Sequence, residues 1–208
     1  MPPRLVIFDF DGTLADSWPW LLAALDGLAP RFGFTRPDQA ELEALRACDA
    51  PTVMRRLGVS RWRLPAIGTE LRRLAREAPP PPLFPGVAGM LDRLADAGIA
   101  LGIASSNSAA QIRRTLGTAR SARIAHLAAE ASLFGKAARF RRILRESGIA
   151  APQALAVGDE LRDIAAAREA GIAAGAVAWG YANPDRLRAE APDAFFERPE
   201  EIARLCGV

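Results

Sequence analysis

The chain is poor in the residues that build zinc and disulfide centres: one histidine, His126, and two cysteines, Cys48 and Cys206, among 208 residues. A zinc site therefore has no ligands to draw on. Two cysteines so distant in sequence indicate no disulfide framework and read as reduced thiols of a cytosolic protein. Long apolar runs are missing too, since no segment reaches the ~20 uninterrupted apolar residues of a membrane span. The run from Leu5 to Phe8 is too short for the core of a signal peptide. A cytoplasmic protein without a membrane partner is expected. The formal charge is only +3, and no basic stripe with interleaved aromatics occurs, so a nucleic-acid groove is not indicated. Lysine is as scarce as histidine: of 27 Lys and Arg, Lys136 is the one lysine. So much Ala and Arg suggests GC-biased codon usage, which replaces Lys by Arg wherever either cation serves. A lysine that survives such drift is either a chance retention or one needed as a compact, mobile point charge that a planar guanidinium cannot imitate.

What is present is enough apolar residue, half of the chain, to bury a substantial core in one domain or one domain carrying an insertion. Leu5 to Phe8 reads as a buried strand ending in Asp9. From Asp16 to Ala78 the apolar spacing is helical, with starts at Ser17 and near Pro37. Trp18, Trp20 and Trp62 are expected in the core of that helical block. Pro79 to Pro82 reads as a stiff connector. Helices are then expected over 87–97, 109–116, 136–147, 161–170 and from 199. Strands are expected over 99–104, 124–128, 154–157, 172–178 and 194–196. Alternating strands and helices imply a parallel sheet covered on both faces, an α/β fold. The helical block interrupts the series once, which predicts an α/β core at 1–15 and 84–208 and an inserted helical cap at 16–83.

Ligands of open α/β sheets bind outside the carboxyl ends of the strands. Asp9-Phe10-Asp11-Gly12-Thr13 ends the first strand, Ser105-Ser106-Asn107 the second, and Gly158-Asp159-Glu160 the fourth, with Asp163 one turn on. Lys136 opens the helix before that fourth strand. Two carboxylates ~4 Å apart repel by roughly 4 kcal/mol at an effective dielectric of 20, so Asp9, Asp159 and Asp163 brought together need protons or a cation. Carboxylate, carbonyl and water ligands suit Mg²⁺, which commonly brings a phosphate with it. Asp9 and Asp11 in different environments can divide the roles of ionised nucleophile and proton donor.

The segment Asp9-Phe10-Asp11-Gly12-Thr13-Leu14-Ala15-Asp16-Ser17 resembles the first motif of the haloacid dehalogenase superfamily, in its aspartyl-phosphatase branch. Ser105 with Ser106-Asn107 resembles the second motif, Lys136 within Leu133-Phe134-Gly135-Lys136 the third, and Gly158-Asp159 through Asp163 the fourth. The closest resemblance is to the phosphoglycolate phosphatase-like group with a small helical cap. It implies a Rossmann-like parallel-sheet core and a Mg²⁺-dependent phosphatase of a small phosphorylated metabolite, acting through a phosphoaspartate on Asp9. Asp11 would serve as acid and base, Ser105, Ser106 and Lys136 would hold the phosphoryl group, and the metal would sit on Asp9, the carbonyl of Asp11 and Asp159, with Asp163 bound directly or through water. The dehalogenases of the superfamily lack an acid at the position of Asp11, so its presence favours phosphoryl transfer. A phosphomutase, or a non-catalytic regulatory relative, is the alternative on the same fold. The exact substrate and the oligomeric state stay open.

Overall fold

A computed structural model describes residues 2–48, 50–129 and 135–208. Two compact units are formed, 1–16 with 82–208, and 17–81.

The first unit starts with strand β1 (Leu5–Phe8), whose four residues are all buried. The second unit is helical: α1 (Trp18–Phe32), α2 (Gln39–Leu45), α3 (Ala50–Arg56) and α4 (Leu64–Glu77). Ser17 stands at the N-cap of α1, and Asp38 caps α2 by accepting from the Glu41 N–H at 2.8 Å. Leu28, Leu42, Leu45, Leu57 and Ala75 are buried in this unit. Trp62 is not: it is 74% exposed, against the expectation of a core position. It lies in a 3₁₀ turn, Arg61–Arg63, so helical spacing does not govern it, and the Arg63 guanidinium covers its ring at 4.6 Å.

The first unit resumes with α5 (Val87–Asp96), β2 (Ala100–Ala104), α6 (Ala109–Ser121), β3 (Ile124–Ala128) and α7 (Gly135–Ser147). It continues with β4 (Ala154–Gly158), α8 (Leu161–Ala170), β5 (Ala173–Val177), α9 (Pro184–Ala189), β6 (Ala194–Phe196) and α10 (Glu200–Leu205). The six strands form one parallel sheet in the order β3-β2-β1-β4-β5-β6. Side chains alternate across it. Val6 and Phe8 face a layer containing Met90, Leu91 and Leu94 of α5 and Ile202 of α10. Leu5 and Ile7 face the opposite layer with Phe140 and Ile143 of α7 and Ile164 of α8. Both faces are therefore apolar, which is why β1 and β4 read as unbroken apolar runs. The expected Rossmann-like α/β core is present.

This order places the site. From β1 the chain winds outward through β2 and β3, then returns to β4 on the other side of β1 and winds out through β5 and β6. The winding reverses between β1 and β4, and the crevice beyond their carboxyl ends is where such sheets take ligands. Asp9 and Asp159 stand at those two ends.

Candidate active site

Asp9 follows the last residue of β1, and its backbone N–H donates to the Val157 carbonyl of β4 at 2.8 Å. Its side chain is buried, and Oδ1 accepts from the Phe10 N–H at 2.7 Å. The chain then turns sharply: the Leu14 and Ala15 N–H groups both donate to the Phe10 carbonyl at 2.9 Å, with Gly12 at φ 76°. A side chain at Gly12 would also stand 2.2 Å from Oδ2 of Asp159, so the turn needs glycine for two reasons.

Asp159 is fully buried. Its Oδ1 accepts from the Thr13 hydroxyl at 2.8 Å and its Oδ2 from the Tyr181 N–H at 2.9 Å. The loop after β5 thus supplies a donor to Asp159, and the Trp179 indole N–H donates to the Thr13 carbonyl at 2.9 Å. Asp163, in the first turn of α8, accepts from the Glu160 N–H at 3.0 Å and stays buried.

Lys136, in the first turn of α7, joins the two ends of the site. Its Nζ lies 2.5 Å from Oδ2 of Asp9 and 2.5 Å from Oδ1 of Asp163. Leu133 and Phe134, which precede it in the third motif, lie outside the described residues. Ser105 is buried, and its hydroxyl oxygen accepts from the Asn107 N–H at 3.0 Å. Ser106 lines a cavity of about 380 Å³ together with Asp9, Lys136, Arg139 and Arg162. Asp11 is half-buried, and its Oδ2 accepts from the Asn107 side-chain amide at 3.3 Å.

The carboxylates of Asp9, Asp159 and Asp163 each offer an oxygen, and these lie within 4.8 Å of one another. Burial, the charges of Asp163 and Asp9, and the nearby Glu160 push the Asp159 carboxyl well above the ordinary carboxylate range. Burial raises Asp9 too, against the pull of Lys136. Burial alone would depress the Lys136 ammonium, but Asp163 and Asp9 reverse this and hold it above its usual value. One ammonium thus balances three crowded acids only in part. An all-oxygen donor set under such repulsion fits a divalent metal ion, and a hard one.

Sequence alone assigns no separate role to Thr13, Gly180 or Asn107, and it leaves Arg139 and Arg162 indistinguishable from solvated helix arginines. The signal for Gly180 is steric. A side chain there would lie 2.1 Å from Cβ of Asp159 and 2.6 Å from the Gly12 carbonyl oxygen.

Fold and site together define a parallel α/β protein with a lysine-bridged acidic cluster at its switch point. Residues 6–177 match the model of the haloacid dehalogenase-like hydrolases. Over 96% of its length the chain is 34% identical to 95% of a phosphoglycolate phosphatase of Synechococcus elongatus. A phosphoglycolate phosphatase of Xanthomonas campestris pv. campestris is 33% identical over 96% of this chain and 95% of its own. Among solved structures, a haloacid dehalogenase-like family protein of Streptococcus pneumoniae shares the fold with a TM-score of 0.81 at 22% identity, covering 96% of each chain. CbbY of Rhodobacter sphaeroides, solved with xylulose-1,5-bisphosphate, does so at 0.70 and 22% over 96% of each. The chain belongs to the haloacid dehalogenase-like hydrolases. Within them it is a phosphoric monoester hydrolase. Among the described residues, no helix is long and apolar enough to cross a membrane.

Proposed function

We propose that the chain is a Mg²⁺-dependent phosphatase of a small phosphorylated metabolite, working through a phosphoaspartate on Asp9. The observation that carries this reading is the buried Asp9 carboxylate at the end of a central strand, paired with Lys136 and crowded by Asp159 and Asp163.

In the first half-reaction a carboxylate oxygen of Asp9 attacks phosphorus, and the bond from phosphorus to the ester oxygen breaks. The departing oxygen takes a proton from Asp11. In the second, Asp11 accepts a proton from water, the water oxygen attacks phosphorus, and the bond to Asp9 breaks to release inorganic phosphate. The Phe10 N–H fixes the plane of the Asp9 carboxylate. Lys136 is proposed to hold the phosphoryl oxygens as a preorganised charge, with Ser105 and Ser106 beside it. Asp9, Asp159 and Asp163, with the carbonyl of Asp11, would hold Mg²⁺, which when bound offsets the repulsion between an anionic nucleophile and an anionic ester. The helical unit at 17–81 is proposed as the substrate-selecting cap. The relatives' names make 2-phosphoglycolate the first ester to test.

The test is phosphate release from 2-phosphoglycolate and p-nitrophenyl phosphate with and without Mg²⁺. Asp9→Asn is expected to lower kcat by more than about 10³-fold, as loss of a nucleophile does. Activity surviving that change sinks the assignment. Released phosphate carrying oxygen from labelled water distinguishes hydrolysis from return of the group to a sugar.

A further inference from the structure

Asp11, the proposed acid and base, sits in the turn after β1, where a side chain of the loop after β2 reaches it. The side-chain amide of Asn107 donates to both Asp11 oxygens, at 3.3 Å to Oδ2 and 3.5 Å to Oδ1. Asn107 is itself tied to its loop on other sides. Its N–H donates to the Ser105 hydroxyl at 3.0 Å, and its Oδ1 accepts from the Ser108 N–H at 2.9 Å. Ser108 in turn caps α6, accepting from the Gln111 N–H at 3.2 Å. With Oδ1 committed to Ser108, the orientation of the amide is settled, and its NH₂ end faces Asp11.

We infer that Asn107 is a positioning residue for Asp11, aiming its carboxylate at the departing oxygen. The inference rests on the proposed acid–base role of Asp11. Asp11 stands two residues past Asp9, just before the turn at Gly12, so its partners decide which way its carboxylate points. The two contacts to Asn107 are long and shared, as acid–base contacts often are before substrate tightens them. A misplacement of about 1 Å can cost a step about 10²-fold.

Asn107→Asp separates aiming from scaffolding. It keeps the shape of the side chain and the Oδ1 acceptor for Ser108, but turns a like charge, instead of a donor, toward Asp11. The readout is the single-turnover rate of enzyme phosphorylation with two esters. One is an alkyl monoester, 2-phosphoglycolate or the best alkyl substrate of the wild type, whose leaving alkoxide needs a proton. The other is p-nitrophenyl phosphate, whose phenolate departs with little help. The expected loss is at least about 10-fold greater for the alkyl ester. Asn107→Leu, which neither donates nor repels, is expected to show the same preference to a smaller degree and serves if the aspartate variant does not fold.

Asp11→Asn is the control. If it shows no preference between the esters, the acid–base reading of Asp11 fails and this inference falls with it. If Asp11→Asn discriminates while both Asn107 variants slow the two esters equally, or neither, Asn107 is only scaffold and the inference alone is overturned.

Discussion

Lys136 places one nitrogen 2.5 Å from carboxylates that arrive from different elements, Asp9 after β1 and Asp163 in α8. A guanidinium spreads its charge over a planar fork and cannot bring a single donor to both. Lys136→Met leaves these buried acids without their shared cation, and breaking such a pair typically costs about 3–5 kcal/mol. That loss is expected in urea unfolding, with kcat down by about 10²–10³-fold. Lys136→Arg is expected to regain part of the stability and little of the activity; full activity would show that any cation serves. Asp159 allows the opposite stability experiment, because its carboxyl is held high by burial and by Asp163 and Asp9. In Asp159→Asn one oxygen still accepts from Tyr181, and the Thr13 hydroxyl can rotate to accept from the new amide. The metal-free variant is therefore expected to melt higher than the wild type and to gain nothing from Mg²⁺. A lower melting temperature without metal would mean that the hydrogen bonds of Asp159 outweigh its repulsion by the neighbouring acids. The pairing of Lys136 with Asp9 in the candidate site was legible in the sequence, because one is a scarce residue type and the other opens a motif. Thr13 and Asn107 were not, because their meaning lies in partners at Asp159 and Asp11, 146 and 96 positions away.

At the scale of elements, strands buried on both faces announce themselves as short apolar runs, and β1, β3 and β6 have their expected bounds. Helix ends were equally plain where glycine takes a left-handed backbone, as Gly171 does after α8 at φ 72°. The expected end of α6 at Leu116 marks a real break. Gly117 leaves the helical region at φ 73°, ψ 169°, and a further turn follows to Ser121. The six-residue α9 was not foreseen, since so short a helix has too few turns to display a period. Strand order was not legible either, because the reversal beside β1 depends on which side each crossover takes. Two glycines separate what the sheet needs from what the site needs. A side chain at Gly175 in β5 would meet the Phe196 ring at 2.9 Å and the Ala156 carbonyl at 3.3 Å. Gly175→Ala is expected to cost about 1–3 kcal/mol with kcat nearly unchanged. Gly180→Ala, pressed against Asp159 and the Gly12 carbonyl, is expected to weaken Mg²⁺ binding by about 10-fold or more. Equal effects of the two changes on Mg²⁺ titrations would remove the distinction.

At the scale of the molecule, the chain leaves the α/β unit and re-enters it at one place. The Asp16 N–H donates to the Pro82 carbonyl at 2.9 Å, the Phe84 N–H donates to the Leu14 carbonyl at 3.0 Å, and Ala15 bridges Leu83 antiparallel. The two crossings are thus hydrogen-bonded to each other within the α/β unit, and that unit needs only a short link to be continuous. Loop closure adds a cost that grows only with the logarithm of loop length, so an insertion here is tolerated and its removal should be as well. The acids Asp9, Asp159 and Asp163 and the ammonium of Lys136 all belong to the α/β unit. A chain with 17–81 replaced by a few glycine and serine residues is therefore expected to unfold cooperatively and, if Mg²⁺ binds as proposed, to gain the same thermal stabilisation from it as the full chain. If the helical unit selects the substrate, the same variant should lose kcat/KM for its best alkyl ester more than for p-nitrophenyl phosphate. A shortened chain that unfolds without cooperativity would show that the sheet and its acidic site depend on the helical unit for folding, and that the paired crossings are not enough to close the sheet unit on themselves.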